Sequence, residues 1–160
     1  RLNLLVGGDA ALLEEVRPLL KGFAENITHV GPVSAGHSMK LLHNYVSLGM
    51  VTLLAEAGAC AERSGVAPEA FVDVLAKGGG GGIALERIKP YLLARETSGL
   101  RFSIANARKD LDYYTTMATD AGAARDVAKA VLGTLEQALA QGGNEALVPE
   151  LVTLLGGARR

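Results

Sequence analysis

The chain has 160 residues, enough for one domain, or one domain with part of another, and for a buried core. Hydrophobic residues make up 49% but aromatics only 4%, with no tryptophan, a balance that favours close-packed helices. A net charge of −1 gives no drive toward nucleic acid or an anionic membrane; the single cysteine, Cys60, excludes an intrachain disulfide and fits a reducing, cytoplasmic setting.

Leu2 to Val6 is a short apolar run ending at Gly7-Gly8-Asp9, the pattern of a buried strand and a turn. Asp9 can cap a helix over 10–23, with Leu12, Leu13, Val16, Leu19 and Leu20 as an apolar stripe at helical spacing. Ile27 to Val30 reads as a second strand. Strand, helix and strand within about 30 residues is the size of a βαβ unit, and two strands do not stand alone as a sheet. The reading therefore expects the last piece of a larger α/β domain.

From Gly31-Pro32 onward the pattern is helical. Ser34 is placed to cap a long helix to about Arg63, ended by Gly65. Its apolar stretch from Leu48 to Ala61 is interrupted by Glu56 and bounded by Glu62, so it reads as a core helix and not a membrane span. Pro68 suits the first turn of a helix to about Lys77. Five glycines, Gly78 to Gly82, follow. A helix over 84–95 contains Pro90 as an expected kink or break. Ser103 can cap a helix to about Ala121, residues 125–141 form the next, and a short helix from about Glu145 to Leu155 closes the chain.

Several features resolve to bland readings. The glycine run lacks the Lys-Ser/Thr of a phosphate loop, since Ile83-Ala84 follows it; it reads as an interhelical loop able to edge a cleft. Gly7-Gly8 lacks the G-x-G-x-x-G pattern. His29, His37 and His43 have no cysteine or carboxylate cluster to complete a metal site, although His43 adjoins Asn44. Lys40 and Asn44 are separated by four residues, so on a helix a proton donor and a neutral amide share one face. Lys40 has apolar neighbours, Met39, Leu41 and Leu42; it is either snorkelling or aimed into a cleft, where burial would tune it for proton transfer. Lys109 either faces solvent or reaches a bound anion, and Asp110 complements the positive end of its helix.

These residues also carry a family resemblance. Gly31, Ser34, Gly36, Lys40 and Asn44 resemble the motif G-x-x-G-x-G-x-x-x-K-x-x-x-N of the β-hydroxyacid dehydrogenases, with Ser34 in place of one glycine. That family includes 3-hydroxyisobutyrate dehydrogenase, tartronate semialdehyde reductase, glyoxylate/succinic semialdehyde reductase and, more distantly, 6-phosphogluconate dehydrogenase. FSIANARKDL, Phe102 to Leu111, is similar to the family's F-x(6)-K-D-L segment, and LLVGGD to the end of its cofactor domain. His43 stands where the family often has asparagine, and residues 141–145 replace its Gly-x-Gly-Asp-x-Asp pattern.

The resemblance implies a mainly α, 6-phosphogluconate dehydrogenase C-terminal-like domain with one long central helix (32–160), preceded by a βαβ remnant of a Rossmann-type domain (1–31). It implies Lys40 as general acid/base, Asn44 orienting the substrate, Gly36 approaching its carboxylate, Lys109 near NAD or NADP, and Asp110 supporting Lys109. The reaction implied is reversible hydride transfer between NAD(P) and a short hydroxy acid, or reduction of glyoxylate or a semialdehyde. Lysine at position 40 favours alcohol/carbonyl chemistry over that of the related imine reductases, and a homodimer or homotetramer is implied. The family's Gly-rich phosphate turn and serine-rich substrate loop precede the matched region. The expectation is thus a C-terminal piece, inactive alone, whose own role would be that of a helical assembly module.

Overall fold

The structure is a computed structural model and describes residues 2–157. Among these, a parallel pair of strands, β1 (Asn3–Gly7) and β2 (Asn26–Gly31), flanks helix α1 (Ala10–Leu20). Six helices follow: α2 (Ala35–Arg63), α3 (Pro68–Lys77), α4 (Ile83–Ala94), α5 (Ile104–Asp120), α6 (Asp126–Gly142) and α7 (Leu151–Gly156). The mainly α architecture with one long helix and a preceding βαβ unit is as expected. The chain forms two compact units, Arg1–Asn44 and Tyr45–Arg160, and α2 contributes residues to each.

In the N-terminal unit, Asn3 pairs with Asn26 through to Val6 with His29, and the register slips before Gly7, which pairs with Gly31. Asp9 caps α1, its Oδ1 accepting the Leu12 N–H at 2.8 Å. The helix ends at Leu20, short of the expected Phe23. Only part of the expected stripe is inside: Leu13 is buried, whereas Leu12 is 57% and Leu19 74% exposed. A two-stranded sheet is too narrow to cover a helix face. The unit is held instead by close backbone fits. A Cβ on Gly36 would collide with the Leu5 carbonyl oxygen of β1, and one on Gly7 with that of Pro32.

Ser34 lies immediately before α2 with φ 77°, the left-handed region that glycine adopts freely. Its carbonyl accepts the N–H groups of His37 at 3.0 Å and Ser38 at 3.2 Å. Ser34 starts the helix through its main chain, from a conformation that an N-cap side chain does not normally use.

The C-terminal unit has a conventional core. Val51 and Ala55 from α2, Leu85 and Ile88 from α4, Ile104, Ala107 and Leu111 from α5, Leu135 and Ala138 from α6, and Leu151 and Val152 from α7 are all fully or almost fully buried. The many alanines let helix axes approach, as the composition implies. Pro68 occupies the first turn of α3, and Ser103 caps α5 by accepting the Asn106 N–H at 3.2 Å. Pro90 does not break α4, which continues to Ala94 and closes on Arg95 at φ 58°.

The closing helix differs from the sequence reading. Residues 146–148 pair with 102–104: Ile104 N–H donates to Ala146 O at 2.9 Å, and Val148 N–H to Phe102 O at 2.8 Å. Those groups are spent on a bridge and are lost to a helix. A 3₁₀ turn, Val148–Glu150, intervenes, with the Glu150 carboxylate accepting the Leu147 N–H at 2.6 Å before α7 begins.

Candidate active site

Helix α2 carries Lys40 and Asn44 one turn apart, as their spacing requires. Lys40 is exposed, and so are its neighbours Met39 and Leu42; nothing in the N-terminal unit buries the ammonium. Asn44 is half-buried, and its Oδ1 lies 3.2 Å from Nδ1 of His43. A carbonyl oxygen can only accept, so the contact requires the proton on Nδ1 and leaves the Asn44 NH₂ to donate elsewhere. His43 thus orients the amide, a role its adjacency suggested. His29 makes a different contact, Nε2 lying 2.8 Å from the Gly8 carbonyl oxygen at the end of β1.

Gly36, read by resemblance as the point of approach to a carboxylate, has another demand on it. Its side-chain volume is occupied by the Leu5 carbonyl, so packing of α2 against β1 already excludes any larger residue.

In the C-terminal unit, Lys109 and Asp110 are adjacent on α5 and point differently. Lys109 is exposed and Asp110 is 5% exposed. A ligand reaching this helix from solvent therefore meets the lysine and not the carboxylate. One turn later Tyr114 stacks on Tyr45, ring centroids 4.1 Å apart and planes 17° from parallel. Burial raises the Tyr45 phenol pKa above its ordinary value, and Tyr114 adds to the shift. Arg108 meets Glu136 of α6 at 3.4 Å.

Two cavities lie within this unit. One of about 520 Å³ is mainly apolar; Tyr45, Val46, Met50 and Val127 line it, and Gly79 and Gly80 form part of its wall. The glycine run is therefore an edge to a cleft, the second of its expected roles. The Thr52 hydroxyl beside it is buried without a hydrogen-bond partner. The other, about 660 Å³, is polar and holds Arg63, Arg95 and Glu62. Both of its arginines are engaged, Arg63 with the Gly156 carbonyl and Arg95 with Glu62, each at 2.5 Å.

Sequence reading missed one polar contact. Arg87 of α4 places Nη1 3.5 Å from the hydroxyl of Ser47 on α2. Ser47 lies seven residues after Lys40, a spacing legible in the sequence; Arg87, forty residues further on, carries no local signal.

NAD(P) fits the residues present in one respect. The exposed ammonium of Lys109 suits the phosphates or polar groups of a dinucleotide. A phosphate cradle is another matter: β1 ends in Gly7-Gly8-Asp9, and the glycine run follows a helix, so neither forms a strand–G-x-G-x-x-G–helix unit. Among the described residues no group of histidine, cysteine or carboxylate side chains could hold a metal ion, and no helix is long and apolar enough to cross a membrane.

Comparison with known proteins gives this arrangement its class. Residues 34–155 match the family model for the NAD-binding domain of NADP-dependent 3-hydroxyisobutyrate dehydrogenase. The chain belongs to this family, within the β-hydroxyacid dehydrogenases. It is 32% identical over 134 residues to the NAD-dependent L-serine dehydrogenase of Pseudomonas aeruginosa, covering 81% of this chain and 42% of that protein. It is 35% identical over 111 residues to an uncharacterized oxidoreductase of Synechocystis, covering 69% and 38%. The fold matches Mycobacterium tuberculosis 3-hydroxyisobutyrate dehydrogenase, solved with L-serine, at a TM-score of 0.82 and 24% identity over 96% of this chain and 55% of that one. The chain thus spans about half, or less, of the length of these relatives.

Proposed function

We propose that the protein carrying this chain is an NAD(P)-dependent dehydrogenase of short hydroxy acids, 3-hydroxy acids foremost, with Lys40 as its general acid/base. The observation that carries the reading is the pair on α2: an exposed ammonium one turn from an amide whose oxygen is held by His43. Lys40 Nζ takes the hydroxyl proton as the alcohol is oxidised and returns it to the carbonyl oxygen in reduction. Asn44 donates to the same substrate and fixes its orientation. Lys109 steadies the cofactor, and Asp110 holds Lys109 in place on α5. NAD(P), when bound, accepts or supplies the hydride. Reduction of glyoxylate or a semialdehyde is the same chemistry run backward and uses the same groups.

Lys40→Ala in the whole protein should lower kcat by about 10²–10⁴-fold. The melting temperature should stay unchanged, because the lysine is exposed. Near-wild-type turnover in that variant would remove Lys40 from the mechanism.

We further infer that the protein self-associates through α2 and α6. Val46 (56%), Leu53 (69%) and Val127 (68%) expose apolar surface there that the unit's own core leaves uncovered. Leu53→Asp should shift the sedimentation coefficient toward the monomer; an unchanged value would place the interface elsewhere.

A further inference from the structure

We propose that Tyr113 and Lys109 form a platform for NAD(P) on α5, the tyrosine ring stacking on a planar ring of the dinucleotide and the ammonium meeting the neighbouring phosphate. This assignment rests on the NAD(P)-dependent reading above and adds a cofactor-positioning residue, Tyr113, to it.

Helix α5 has two faces. Ile104, Ala107, Leu111, Tyr114 and Ala118 are buried and fix the helix in the core of its own unit. Asn106, Lys109, Tyr113 and Thr116 are exposed, and they follow at i, i+3, i+7 and i+10, the spacing of one helical stripe. Lys109 and Tyr113 stand one turn apart on that stripe, about 6 Å of rise.

Two observations single out Tyr113. It is 55% exposed, and no other aromatic side chain of the C-terminal unit is exposed: Tyr91 and Tyr114 are buried, and Tyr45, Phe71 and Phe102 are half-buried. Its ring is also unused. The ring contacts among the described residues are Tyr114 stacked on Tyr45 and Arg95 over Tyr91, so neither face of Tyr113 meets another ring or a cation. An aromatic ring left in water gains by stacking on a flat, weakly hydrated partner. The exposed ammonium of Lys109 beside it suits a phosphate as a point charge. A partner that carries a flat ring and an anionic group one helical turn apart is a nucleotide. A short hydroxy acid has the anion and lacks the ring, so the pair fits the cofactor and not the substrate. The match to the model of an NAD-binding domain covers residues 34–155 and so includes the whole of α5. Because the helix is held by its buried face, only two side chains need to be ordered on binding, and a tyrosine has few rotatable bonds to lose.

The test titrates the whole protein with NADH and NADPH, read by the cofactor's own fluorescence and not by turnover. Tyr113→Ala should raise the dissociation constant of the cofactor that the wild type binds about fivefold or more, the loss typical of removing one base–aromatic stack. Tyr113→Phe keeps the ring and should bind like the wild type. Both variants should keep the wild-type melting temperature, because the side chain is exposed. ADP-ribose and nicotinamide mononucleotide, followed by ligand-observed NMR, separate the two rings of the cofactor: a loss in Tyr113→Ala confined to the first assigns the adenine, one confined to the second assigns the nicotinamide, and either sustains the platform. Unchanged cofactor affinity in Tyr113→Ala, or a Tyr113→Phe variant as weak as Tyr113→Ala, would overturn the stacking while leaving the dehydrogenase reading intact. Wild-type protein that bound neither NADH nor NADPH would overturn both.

Discussion

The two units of this chain are stabilised in different ways. The C-terminal unit buries Val51, Ile88, Ile104, Leu111, Leu135 and Leu151 almost completely and so holds its helices by apolar packing. In the N-terminal unit Leu12, Leu19 and Phe23 lie on the surface, and order comes from strand pairing, the Asp9 cap and the backbone fits at Gly7 and Gly36. Lys40 and Asn44 belong to the unit where tolerance is set by single glycines. Lys109 and Asp110 are carried by α5, a helix anchored in a full core.

Substitutions can sharpen that contrast. The largest effect is expected from Ile88→Ala, which should cost about 2–5 kcal/mol in urea denaturation, the loss typical of a large aliphatic side chain in a close-packed core. The equivalent truncation in the other unit, Leu12→Ala, should change stability by less than about 0.5 kcal/mol, because that side chain is more than half exposed. Equal costs at the two positions would end the comparison.

Gly36→Ala probes the backbone fit and has a diagnostic sign. Inside a helix this change normally stabilises, by about 1 kcal/mol. Here it should destabilise by about 1–3 kcal/mol, since the new methyl meets the Leu5 carbonyl. A stabilised variant would show that β1 and α2 can separate at no cost.

A smaller effect than that at Gly36 is expected at Ser34. Its φ of 77° costs a residue with a Cβ roughly 1–2 kcal/mol, part of which glycine returns as chain entropy in the unfolded state. Ser34→Gly should therefore raise stability by about 0.5–1 kcal/mol, read as a shift in the urea midpoint at constant slope. The family motif places glycine at this position, and the backbone supplies the reason.

Much of this was legible in the sequence because it depends on local rules. Asp9, Pro68 and Ser103 mark helix starts through side chains and ring geometry that act within one turn, and each does so in the structure. The four-residue spacing of Lys40 and Asn44 fixed their common face before any fold was known. Other expectations failed where a distant segment intervened. Residues 146–148 gave their hydrogen bonds to 102–104 and shortened the last helix. The α1 stripe had the right period but no surface to cover it.

The sequence by itself determined where α1, α3 and α5 start, the paired donor and amide on α2, and membership of a dehydrogenase family, because periodicity, capping and short motifs act over a few residues. Tertiary structure decided which apolar residues are inside, that Gly36 is fixed by the Leu5 carbonyl, that Asp110 is buried while Lys109 is exposed, and that Arg87 stands at Ser47. Those facts depend on segments tens of residues apart meeting in space, and no local pattern records where a chain will meet itself.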